Sequence, residues 1–163
     1  MIRRVVDTNV PIVANGRNTN ATFDCRLAAV EFLNTLRMNG KTVLDLGGKI
    51  QKEYRRYLYP SGQPGVGDRF YQIILNSAPS RVERIELPCD PATGEFVDFP
   101  STPALANFDA SDRKFAAAAR RSGIPVANAT DRGWLVHNTA LRANGIVVEF
   151  VCGCDSAKWF ADG

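Results

Sequence analysis

Apolar and polar positions follow two periods along this chain, and the changes between them divide it into strands and helices. "IRRVVD" reads as a short strand that ends on a carboxylate. In "NATFDCRLAAVEFLNTLRMNG" the residues Leu27, Val30, Phe32, Leu33 and Leu36 recur at helical spacing, and Gly40 follows as a stop. "KTVLDL" reads as a second strand. "GGKIQKEYRRYL" predicts a helix with Ile50, Tyr54, Tyr57 and Leu58 on one face. After a turn-rich break, "YPSGQPGVGD", "RFYQIILNSA" predicts a further helix, and "RVERIEL" a strand or edge hairpin arm. "DASDRKFAAAARRSG" predicts a helix capped by Asp109 or Ser111 and ended by Gly123. "IPVANA" is a buried strand, "DRGWLVHNTALRANG" a helical stretch and "IVVEFV" a last strand.

Strands alternating with helices predict the α/β class: three α/β/α layers around a central, mainly parallel sheet. No internal repeat is present. The stretch 88–107 stands apart. It is rich in proline and turn residues, holds Asp90, Glu95 and Asp98, and has no basic residue. A connection this long is unusual in a compact domain. The expectation is an insertion or flap around a short "EFVDF" strand. The 163 residues, 45% hydrophobic and 23% charged, have a globular composition. They predict one domain over 1–163 with a short tail after about 152.

Several chemistries are excluded or weakened. No apolar run nears the roughly 18 residues of a membrane span. Asp7 and Pro11 break the first apolar stretch too early for a signal peptide, so a cytoplasmic protein is expected. Cys25, Cys89, Cys152 and Cys154 form no Cys-x-x-Cys pair and His137 is the only histidine, a poor set for tetrahedral zinc. "CGC" is expected to be a pair of reduced thiols. "GQPGVGD" follows no strand and lacks a Lys-Ser/Thr, so it reads as a loop and not a phosphate cradle. The net charge of +3 says little, but basic residues cluster at Arg3–Arg4, Arg55–Arg56, Arg113–Lys114 and Arg120–Arg121. Phosphates would want such clusters, and solvated helix faces explain any one of them equally well.

Four acids occupy unusual places. Ligands of open α/β sheets bind beyond the carboxyl ends of the strands. Asp7 ends the first strand and Asp131 follows "IPVANAT", so a parallel sheet brings both to one rim. Glu53 borders the apolar face of its helix, and Asp112 begins an alanine-rich stripe that allows close packing. Each has an ordinary alternative. Asp7 and Asp131 suit helix caps, Asp112 a first helical turn, and Glu53 a surface pair with Lys49 or Arg56. Together, converging carboxylates repel unless a divalent cation holds them, and hard oxygen ligands favour Mg²⁺ or Mn²⁺.

These residues resemble the PIN domain family of metal-dependent nucleases over about residues 2–151, apart from the insertion. "VVDTNV" is similar to its first acidic motif and "KEYRRYL" to its second. "DASDRKFAAAARRSGIPVANATD" is similar to the segment carrying its third and fourth acids. The resemblance implies Asp7, Glu53, Asp112 and Asp131 as catalytic metal ligands for Mg²⁺ or Mn²⁺. It implies Asn9 and Thr130 as residues that hydrogen-bond those carboxylates, with Asp109 as a further acid near the site. Arg17, Arg55, Arg56, Arg113, Lys114 and Arg132 would bind nucleic acid, and Tyr54, Tyr57 and Trp134 are candidates for stacking on bases, with core packing expected for at least two of them. The implied activity is endoribonuclease cleavage of single-stranded or structured RNA. With one histidine, a histidine-pair mechanism is closed, whereas a cation lowers the pKa of water by itself. Implied partners are RNA, an antitoxin protein if the chain is the toxin of a toxin–antitoxin pair, and a second copy in a homodimer. A degenerate PIN-like module that binds RNA or protein without cutting is the alternative. A haloacid-dehalogenase-type phosphohydrolase is disfavoured, because its second aspartate would stand where Asn9 is.

Overall fold

In the computed structural model, which describes residues 1–17, 19–76 and 79–161, five strands form one wholly parallel sheet flanked by helices, a three-layer α/β/α architecture. The strands are β1 (Ile2–Val6), β2 (Gly40–Asp45), β3 (Val82–Ile85), β4 (Val126–Asn128) and β5 (Val148–Phe150), in the order β3-β2-β1-β4-β5. β1 is central. It pairs with β2 from Ile2↔Gly40 and with β4 from Val5↔Val126. Val5 and Val6 are both fully buried, as a parallel strand covered on both faces requires. "RVERIEL" is therefore an edge strand parallel to β2 and not a hairpin arm.

The helices are α1 (Asn9–Asn15), α2 (Phe23–Asn39), α3 (Lys49–Tyr57), α4 (Val66–Asn76), α5 (Arg113–Ser122), α6 (Arg132–Val136) and α7 (Asn138–Ala143). The predicted end of "RFYQIILNSA" at 77–78 lies outside the described residues. The buried side of α2 is Cys25, Ala29, Leu33 and Leu36, while Leu27 is exposed. On α3 Ile50, Tyr54 and, just past its end, Leu58 are buried, and Tyr57 turns outward. α5 is packed through an unbroken buried run, Phe115 to Ala119, against β1, β2 and β4. Its alanines let helix and sheet approach closely. Gly123 closes the helix in the left-handed conformation, φ 70°, where a side chain would be strained.

"GVGD" has a packing role. α1 and α4 cross at Gly67, where an added Cβ would lie 1.9 Å from Pro11 O. Beside it Asp68 is fully buried. Its carboxylate accepts from Tyr59 N, Gly65 N and Asn15 Nδ2 and pairs with Arg17. Burial pushes its pKa up, but those bonds and the Arg17 charge carry it below the usual carboxylate range.

Two expectations are corrected. Cys25 and Cys152 form a disulfide, so Cys152 is not a reduced thiol; Cys154 is free and exposed. The bond ties the chain after β5 to the first turn of α2, beside the contact from Thr22 N to Trp159 O at 2.8 Å. "EFVDF" does not form a strand. The segment has a single antiparallel bridge, Cys89↔Phe96, and tight turns. It packs through buried Phe99, Leu105 and Phe108. The Arg113 guanidinium lies 4.6 Å over Phe99 and donates to Ala106 O and Phe108 O. Among the described residues no helix is long and apolar enough to cross a membrane.

Replacing Gly67 by alanine forces a side chain into the Pro11 carbonyl. We expect a loss of about 3 kcal/mol, the upper range for overpacking, read as a lowered urea midpoint; an unchanged midpoint would refute the tight crossing.

Candidate functional site

Strand order reverses between β1 and β4, and the chain places its acids beyond the carboxyl ends of these two strands. This is the crevice where open α/β sheets bind ligands. Asp7 follows β1 directly. Asp131 follows β4 by a short turn, and Asp112 immediately precedes α5. Asp7, Asp112 and Asp131 each offer a carboxylate oxygen, and these atoms all lie within 4.8 Å of one another.

Hydrogen bonds orient this triple. Asp7 Oδ1 accepts from Asn9 N at 2.9 Å, and Asp7 Oδ2 accepts from the indole Nε1 of Trp134 at 2.7 Å. Asp7 is 4% exposed and Trp134 fully buried. Asp131 Oδ1 accepts from Gly133 N, so it caps α6 and belongs to the cluster at once. Asp109 caps the short 3₁₀ turn Ala110–Asp112 through Ser111 and is exposed.

The expected side-chain hydrogen bonds from Asn9 and Thr130 to the carboxylates are not formed among the described residues. Asn9 Oδ1 accepts from Ala129 N and Thr130 N, and its Nδ2 donates to Asn128 Oδ1 at 2.9 Å. Asn128, fully buried, also accepts from Asp131 N and donates to Asp131 O. These amides lock the loop after β4 to the start of α1. They fix the positions of Asp7 and Asp131 through the backbone.

Glu53 stands outside the triple. Its Oε1 pairs with Lys114 Nζ at 2.6 Å and its Oε2 accepts from Thr8 Oγ1. The basic residues divide in the same way. Arg17 pairs with Asp68, Arg113 holds the 88–107 segment, and Lys114 is taken by Glu53. Arg3 and Arg4 pair with Glu83 and Glu149, and Arg121 with Glu86 and Asp98. Arg55, Arg56 and Arg132 remain exposed, with Arg56 over Tyr57 and Arg132 over Phe160. Tyr54 and Trp134 are core residues, and Tyr54 donates to Val6 O at 2.6 Å.

Asn128, Thr8, Asp45 and the role of Trp134 are additions of the structure to the residues the sequence singles out. Asp45 closes β2 and accepts from Lys49 N and Ile50 N, capping α3. An acid or amide ending each of β1, β2 and β4 was the available signal. Nothing local marked Trp134 as a donor to Asp7.

Electrostatics follow from burial and crowding. Burial pushes Asp7 up to about 7 with help from the Asp131 and Glu53 charges, while Asn9 N–H and Trp134 pull the other way. Burial pushes Asp112 up to about 9, followed by the charge of Asp7 and a hydrogen bond shared with Asp131. Carboxylates crowded in this way mark a place where a cation could replace a proton.

Fold and site thus define a parallel α/β protein with an acidic crevice at the reversal of its strand order. Compared with known proteins, the chain matches no family model, no curated protein and no solved structure.

Both shifts are upward for acids, so the folded protein holds more protons than the unfolded chain above the ordinary carboxylate range. That stability is fully present below about pH 4 and is lost as pH rises through about 7 and 9. In EDTA we expect urea midpoints to fall over this window. Asp112→Asn should flatten the slope and exceed wild type at about pH 8. A wild-type midpoint that climbs over the window would contradict the buried cluster.

Proposed function

We propose that this protein is a Mg²⁺- or Mn²⁺-dependent nuclease that hydrolyses phosphodiester bonds, with RNA as substrate. The observation that carries the reading is the triple of Asp7, Asp112 and Asp131 at the switch point, with oxygens mutually within 4.8 Å. The fit rests on chemistry. The donors are hard oxygens, the carboxylates repel, and burial raises the pKa of both Asp7 and Asp112, with neighbouring carboxylate charge adding to it. A divalent cation held by Asp7, Asp112 and Asp131 would polarise the scissile phosphate and offset the charge that builds on its oxygens.

The chain's own residues supply the rest. Trp134 and the Asn9 N–H fix both oxygens of Asp7, so the carboxylate does not have to reorganise as substrate arrives. Asp131, anchored on Gly133 N, is placed to orient an attacking water. Arg55, Arg56 and Arg132 are exposed and could meet phosphates of the substrate; Arg17, although paired with Asp68, is more than half exposed and can join them. The similarity to the PIN family quoted above supports the same reading and extends it to toxins with an antitoxin partner and to homodimers. A cytoplasmic site of action goes with this reading. The Cys25–Cys152 disulfide is the feature that stands against a reducing compartment.

A second reading, a module that binds RNA or protein without cutting, draws on one observation. Lys114 neutralises Glu53, so part of the acid set is satisfied by the protein itself.

Cleavage of single-stranded and structured RNA with Mn²⁺ or with EDTA separates the two readings. Wild type should cut only with the cation, and Asp7→Asn and Asp112→Asn should each lower the rate by about 100-fold or more, the scale of lost transition-state stabilisation. Cutting that persists in EDTA, or in both variants prepared alongside wild type, would reject the nuclease.

A further inference from the structure

Lys114 brings a positive charge to Glu53, the fourth of the acids. Its Nζ lies 2.6 Å from Glu53 Oε1, and the two side chains are only 14% and 15% exposed. The ammonium also donates to Ser111 O. Glu53 completes its bonding with Thr8 Oγ1, so each of its oxygens has a donor. An exposed lysine–glutamate pair contributes little, but this one is sequestered, and removal of one partner leaves the other charge uncompensated.

The position of the pair gives it meaning. Lys114 sits in the first turn of α5, just beyond Asp112, and Glu53 comes from α3. Glu53 is close enough for its charge to act on Asp7. Four carboxylates therefore share one electrostatic neighbourhood and would be balanced by two divalent cations. With the ammonium in place, three carboxylates are left. These are the three whose oxygens can meet around a single point.

We infer that Lys114 stands in for a second divalent cation, so that the site takes one ion, on Asp7, Asp112 and Asp131, and Glu53 serves as the anchor for Lys114 instead of as a ligand. The inference rests on the metal-site reading above and sharpens it. A one-ion site must stabilise the leaving oxygen by other means, because the symmetric clamp of two ions about 4 Å apart is closed to it. The Lys114 ammonium, held on Glu53, whose own charge acts on Asp7, supplies a positive charge that no chelator removes.

Mn²⁺ titration by calorimetry, with bound ions counted by electron paramagnetic resonance, tests this without reference to activity. Wild type should bind one Mn²⁺. Lys114→Met, with Lys114→Gln as a second variant if the first does not fold, should bind two. The double variant Glu53→Gln/Lys114→Met removes both charges; it should return to one ion and lose less than about tenfold in affinity, below the range for removing a supporting partner of a metal site. Thermal melts confirm that each variant is folded. Two ions in wild type, one ion in Lys114→Met, or loss of the ion in the double variant would each overturn the stand-in role of Lys114 and leave the nuclease reading standing. Wild type that binds no Mn²⁺ would overturn both.

Discussion

Following the completely buried end of a strand with a carboxylate is costly, and most of what surrounds the site can be understood as the response to that cost. Val5 and Val6 have no solvent access, and Asp7 is nearly as deep. An isolated charge there would protonate. The protein gives each Asp7 oxygen a donor from a different part of the chain: a backbone amide two residues on, and an indole from α6. That indole is held in turn by an edge-on contact with Phe108, and Phe108 stacks on Phe99. Residues 88–107 thus reach the acidic rim through aromatic packing, with Arg113 as the clasp. The acidic segment is joined to the site as a support.

The second organising element is the pair of amides at the switch point. Asn9 and Asn128 close a network between the start of α1 and the end of β4. Buried amides of this kind demand complete bonding, and the satisfied network holds two strand ends in fixed register. Asp7 and Asp131 inherit that register. Asp112 arrives by a different route: the alanine run of α5 brings the helix close to β1, β2 and β4 and sets its first residues against the same rim. Lys114, on the same turn, then meets Glu53. The arrangement separates two tasks among the acids, three converging on a point and one fixing a cation.

The readable parts of the chain were those governed by neighbours in sequence. Strand ends, helix faces and caps follow from periodicities of two and three to four residues, so the α/β class, the rim positions of Asp7 and Asp131 and the place of Asp112 at the start of a close-packed helix could be read. Features set by residues distant in sequence were not readable. The Cys25–Cys152 bond spans 127 residues, as does the Trp134–Asp7 hydrogen bond. A thiol looks the same in sequence whether or not a partner stands opposite it. "EFVDF" shows why local pattern fails: without a neighbouring strand to pair with, an alternating segment closes into turns.

What the sequence determined by itself is the layering of strands and helices and the presence of acids at strand and helix ends, because both depend on short-range backbone geometry and on the side of each element that must be buried. Tertiary structure alone decided which acids share a point, which one is neutralised, and which arginines stay free. Those outcomes turn on distances of a few ångströms between elements far apart in the chain, and there charge interactions change most steeply. Lys114 is the clearest case. In sequence it is one more basic residue beside an acid, and in the fold its charge is taken by Glu53, an acid from another helix.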